Sequence, residues 1–220
     1  MANLILESAT ELLQAYNKAL DTVVPKDLCD IVKFHGCGAA VSSAAAGLIP
    51  GAGGVAATVC YAGFIWTLYG RLGKKIGLPF NKHILKSLAA GVATNLAAYA
   101  VASLVVSSVI SLFPGIGSLA ASAIDAGMGY AIVSASGIVY MKVLTKMFKN
   151  QQDPTTFSAE NLSDIAKETM SKMDMKGILK NLKSEYKEAK DEKIEIDESD
   201  SEEYSEGFSE EEIPESEENL

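Results

Sequence analysis

SAAAGLIPGAGGVAATVCYAG, residues 43–63, returns 64 positions later as SSVISLFPGIGSLAASAIDAG, residues 107–127. Nine of the 21 positions are identical, among them Pro50/Pro114, Gly51/Gly115, Gly53/Gly117 and Gly63/Gly127. Each copy is an uncharged run, a Pro-Gly-x-Gly, and a second uncharged run. Proline cannot continue a helix, and glycine takes the left-handed conformations a tight reversal needs. The repeat therefore predicts two helical hairpins, with turns at Pro50, Gly51 and Gly53 and at Pro114, Gly115 and Gly117. The fold class that follows is all-α: a four-helix membrane bundle with charged helices at both ends of the chain.

Working outward, Ala39–Gly70 and Ser87–Ile124 carry no charge over 32 and 38 residues. Helices are expected at about 28–49, 53–76, 82–113 and 117–149. A bilayer core takes about 20 helical residues. The second hairpin is long enough on both arms, whereas the first is marginal and could span or be re-entrant. Lys26, Lys33, Arg71, Lys74, Lys75, Lys82, Lys86, Lys142, Lys146 and Lys149 all flank the open ends, and none sits at a turn. Under the positive-inside rule this predicts a multi-pass membrane protein with both termini in the cytoplasm. Phe34, Trp66, Tyr69 and Tyr140 lie near the same ends and suggest an interfacial aromatic belt.

The division expected is an amphipathic helix over 1–24, a hydrophobic hairpin domain over 25–149, a linker and charged helix over 150–190, and a disordered acidic tail over 191–220. A break in the charged helix is expected near Gly177. The tail holds 15 acids and one lysine, so the overall charge of -9 hides a mildly basic body. Such a tail repels nucleic acid and anionic lipid, or engages a basic partner. Three cysteines without a CxxC pattern, and two isolated histidines, favour neither a disulfide framework nor a metal site.

Small residues recur at every fourth position: Ala39, Ser43, Gly47 and Gly51; Ser103, Ser107, Ser111 and Gly115; Ala123, Gly127, Ala131 and Ala135. Such stripes let helices approach closely and predict helix packing, including self-association. Asp125 is the only acid between Asp30 and Asp153. It falls about ten residues from the turn, roughly 15 Å deep. It is a possible intramembrane polar site, either a protonated acid bonded to serines or a pore-lining group. Asn95 is a second such position, read as a polar clamp near Ser136. No nucleophile arrangement, phosphate loop or dinucleotide fingerprint occurs, so neither catalytic residues nor a cofactor is expected.

LYGRLGKKIGLPFNKHILKSLAAG, residues 68–91, and SLFPGIGSLAASAIDAGMGYAIVSASG, residues 111–137, resemble the YcjF-type bacterial domain. The resemblance covers about residues 35–148. It implies a helical, membrane-associated domain of a kind often found C-terminal to, or encoded beside, small Era-like or dynamin-like GTPases. With no GTPase half in this chain, that partner would act in trans. The acidic tail departs from the family pattern. Three functions stay open: a self-associating membrane scaffold or adaptor that recruits a cytoplasmic partner, a pore with Asp125 in its lumen, and a soluble helical interaction protein.

Overall fold

A computed structural model describes residues 26–47, 53–78, 81–111 and 116–191; the side chains at Lys26, 46–60 and 101–118 are outside the described set. The expected N-terminal helix, the turn residues Pro50, Gly51, Pro114 and Gly115, and the tail from residue 192 also lie outside it. All regular structure among the described residues is helical. Four long helices come first: α1 (Lys26–Gly47), α2 (Gly53–Lys75), α3 (Lys82–Ser111) and α4 (Ile116–Lys149). A short 3-10 turn at Pro154–Thr156 leads to α5 (Ala159–Ser171) and α6 (Met175–Ala189).

Each boundary has a local cause. Asp27 sits in the first turn of α1, where a negative charge meets the helix dipole. α2 ends with Lys74 and Lys75 in its last turn. Beyond it, Gly77 takes φ 75°. The Leu78 N–H then reaches the Gly73 carbonyl at 2.8 Å and the Gly77 N–H reaches Lys74 at 3.0 Å. These paired bonds close the helix end, and glycine suits the left-handed position they require. Ser158 caps α5 by accepting from the Asn161 N–H at 3.2 Å. Asp174 caps α6 by accepting from the Gly177 N–H at 3.0 Å. The break between the charged helices therefore falls at residues 172–174, ahead of the expected Gly177, because a capping aspartate starts a helix more strongly than one glycine stops it.

α4 is the centre of the fold and touches every other described helix. It packs most extensively on α1, while α2 closes on α1 and α3, and α3 closes on α4. Neighbouring long helices run antiparallel: Asp27 pairs with Lys75 at 2.9 Å, and Gly38 meets Phe64. The core holds Trp66, Tyr69 and Tyr140, which are buried rather than arranged in an outer belt. Tyr69 and Tyr140 stack at 4.3 Å with their planes 12° apart, and Tyr69 Oη donates to the Ser136 carbonyl at 3.3 Å. Large rings gain most by burial when the hydroxyl finds a partner. Of the four expected belt residues only Phe34 is exposed, at 40 %.

Among the described residues one helical stretch, Leu119–Lys149 (31 residues), is long and apolar enough to cross a membrane. Within the molecule, 83% of its most apolar window is buried.

Candidate functional site

The arrangement that decides what this molecule can do is built on α4, because its faces are covered in different ways. Toward α1 the contact is backbone to backbone. A methyl group placed on Gly129 would meet the Ser43 hydroxyl and lie 2.8 Å from the Ala39 carbonyl oxygen. One placed on Gly36 would lie 2.7 Å from Ser134 Oγ. Ala39 and Ser43 are fully buried here, and Ser43 Oγ donates to the Ala39 carbonyl. The α1 stripe thus enters a seam inside the chain.

The stripe expected on α4 is distributed over several faces. Ala131 and Ala135 are buried in the main core. Ala123 is exposed. Gly127 lies under α6, where a methyl group would sit 3.2 Å from Cγ of Lys183. The residue that meets α1 is Gly129, two positions away. Gly53 and Gly117 stand in the first turns of α2 and α4. Gly47, Ser103, Ser107 and Ser111 are helical, with side chains outside the described set.

Asp125 is 0% exposed. Asn95 is half-buried, and its Nδ2 donates to the Gly91 carbonyl of its own helix at 2.7 Å. Ser136 Oγ likewise donates to the Val133 carbonyl at 2.6 Å. Both side chains are satisfied by the preceding turn of their own helices, so the expected Asn95–Ser136 clamp is replaced by two local bonds.

α6 packs along the outer surface of α4 and reaches both neighbours, α3 and α1. Tyr186 meets Tyr130 at 5.4 Å between ring centroids, and Tyr130 Oη donates to Glu185 at 3.1 Å. At the C-terminal end, Cys37 Sγ on α1 lies 3.8 Å from the Ala189 carbonyl. Ala40, Ala126, Tyr130 and Ala189 form a small apolar cluster of their own at this junction. α5 covers the other end of α4. There Lys146 reaches Glu168 at 2.7 Å, and Lys172 also binds Glu168. The bonds from Lys146 and then Lys172 hold the Glu168 carboxyl down to about 2.

The charges at the open ends are engaged as well. Arg71 lies 5.4 Å over the Phe34 ring, and Lys86 lies 5.2 Å over Trp66. Lys142, Thr145, Lys146, Lys149 and Asn150 line an open cleft of about 320 Å³. No group of three or more His, Cys, Asp or Glu side chains that could hold a metal ion occurs among the described residues.

A second pattern runs along α6 beside its apolar face. Lys176, Lys180, Lys183, Lys187 and Lys190 recur at spacings of four, three, four and three, which places them on one face of the helix. Comparison with protein-family models, with curated proteins and with solved structures found no match for this chain.

Proposed function

We propose that this protein is a non-enzymatic, membrane-associated scaffold. Its apolar end enters lipid, and its charged C-terminal helices stay in water to meet a partner. One observation carries this reading. At the turn-bearing end, Val41 is 71% exposed and Leu119 68%, and Ala45, Ala120 and Ala123 are exposed beside them. At the opposite end, large apolar side chains are buried under α5 and α6, and the exposed Phe34 lies beneath the Arg71 guanidinium. An exposed apolar surface concentrated on one end of a molecule marks a contact with lipid or protein. The uncharged runs leading into both Pro-Gly turns favour lipid. A GTPase acting in trans is the partner suggested by the sequence resemblance.

The fuller form of this reading has both hairpins crossing the bilayer, with both termini in the cytoplasm. It requires α6 to leave α4. Lys183 lies against Gly127 and Glu185 against Tyr130, both inside the stretch that would span. Charged groups at that depth are costly in hydrocarbon. A pore reading requires Asp125 to reach water, and it is fully buried. The second reading that an observation favours is a soluble helical interaction protein, because the apolar window of α4 is 83% buried within the molecule.

Single cysteines at Ala52, Ile116, Lys75 and Ser158, on a cysteine-free background in membranes, test these forms with an impermeant thiol reagent. The expected result is labelling of Lys75→Cys and Ser158→Cys from the cytoplasmic side, with Ala52→Cys and Ile116→Cys shielded from both sides. Labelling of the last two from the far side establishes spanning. Recovery of the chain in the soluble fraction, with all four positions labelled, overturns the membrane reading.

A further inference from the structure

We propose that α6 is a basic collar that seats the molecule on an anionic lipid surface, with the turn-bearing ends of the long helices below it in one leaflet. The proposal rests on the membrane reading and adds the lipid class, the depth and the residues that recognise it.

The first argument is the face that α6 presents. Met175, Ile178, Leu179, Leu182, Tyr186 and Ala189 dock on the body or pack against its core. Lys176, Lys180, Lys187 and Lys190 are exposed on the adjacent face, and Lys183 is half-buried with its stem along Gly127. Glu185 is drawn aside by the Tyr130 hydroxyl. A helix with an apolar face beside a lysine-rich one is the pattern that lies at a lipid surface. Here the apolar face is already occupied by protein, so the charged surface is left to meet the headgroups; on it the five lysines share a face and outnumber the exposed Glu185, Glu188 and Asp191.

The second argument is depth. α6 meets α4 at Gly127 and Tyr130, and meets α1 at Cys37. From Ile116 to Gly127 the rise along α4 is about 16 Å at 1.5 Å per residue. From Gly47 back to Cys37 it is about 15 Å. Half of a bilayer's hydrocarbon core is also about 15 Å. The exposed apolar residues Val41, Ala45, Leu119 and Ala123 fall between the collar and the turns. Lysines positioned one leaflet above an apolar end are at headgroup height. Their charge selects anionic lipid, and their long stems let the ammonium groups reach the phosphate layer.

The test is flotation of the full chain with vesicles of phosphatidylcholine alone or with phosphatidylglycerol added. Wild type is expected to bind both and to bind the anionic vesicles more tightly, in a salt-sensitive way. Replacing Lys180, Lys187 and Lys190 together by Gln is expected to weaken anionic binding by roughly fivefold per lysine and to leave neutral binding unchanged. Unchanged helicity by circular dichroism establishes that the variant is folded. Leu119→Glu is expected to weaken binding to both vesicle types. If the lysine variant floats like wild type while Leu119→Glu does not, the membrane reading stands and the collar falls. The stripe then faces the chain's own acidic tail or an acidic protein. If wild type floats with neither vesicle, both readings fall.

Discussion

Gly63 and Gly127 hold the same place in the two copies of the repeat, yet their surroundings differ. A methyl group added at Gly63 meets nothing within 4 Å, whereas one added at Gly127 meets the stem of Lys183. The first copy is bare at this position, and the second is covered by α6. Similar stretches of sequence thus stand in unlike surroundings, because α6 covers only one of them. A third glycine sharpens the contrast. Gly129, two residues along α4, meets the buried Ser43 hydroxyl and the α1 backbone rather than the stem of a long flexible side chain. The two contacts differ in kind: the α1 seam cannot yield without moving a helix, while the α6 seam can yield by bending one lysine.

The largest expected effect is at that fixed seam. Gly129→Ala drives a methyl into the Ala39 carbonyl and is expected to destabilise by about 1–3 kcal/mol, read as a fall in the thermal midpoint. A neutral result would mean that the α1 and α4 backbones are farther apart than described. Gly63→Ala should do the opposite. Exchanging glycine for alanine in an open helix interior is expected to stabilise by about 1 kcal/mol. Loss of stability there would reveal a partner against the first copy.

Gly127→Ala combines both influences. The helix gain works against a 3.2 Å contact with a side chain that can move, so a net change within about 0.5 kcal/mol is expected. A drop comparable to that of Gly129→Ala would break the comparison and make α6 as fixed as α1. The smallest effect lies where α5 meets α4. Glu168 is depressed from 4.5 to about 2 by Lys146 and Lys172. Its folded form titrates below its unfolded one. The contribution is therefore complete above pH 4.5 and fades as pH falls toward 2. Thermal midpoints of wild type and Glu168→Gln should differ slightly at neutral pH and converge across that window. The exposed setting keeps the difference small.

The helical frame was legible because its signals are local. Pro-Gly pairs bound the uncharged runs, and the expected helix limits fall within two residues of those observed for all four long helices. Which face of α4 meets which neighbour was not legible. Ala121, Ala123, Ala126, Gly127, Gly129, Ala131, Ala135 and Gly137 place small residues all around that helix, so every register yields a stripe. Residues 127 and 129 are on roughly opposite sides, and only the tertiary partner decides between them. The inward turn of Trp66, Tyr69 and Tyr140 was hidden for a related reason: a ring near a helix end suits a lipid interface and a packed core equally well by composition. The docking of α5 and α6 rests on contacts made across the whole chain, and no sequence period reports those.

The junction of Cys37 with Ala189 joins residues 152 apart in the chain. During synthesis at roughly 5–20 residues per second, roughly 8–30 s separate the emergence of the two. For the part of that interval between the emergence of Ala123 and that of Lys176, the apolar end exists without its lysine-bearing helix. A nascent chain therefore meets its surroundings as a bare hydrophobic body, and a finished one meets them with a charged boundary in place. Order of emergence thus gives the same polypeptide two successive characters, and a lipid encounter on the ribosome would not be equivalent to one made after release.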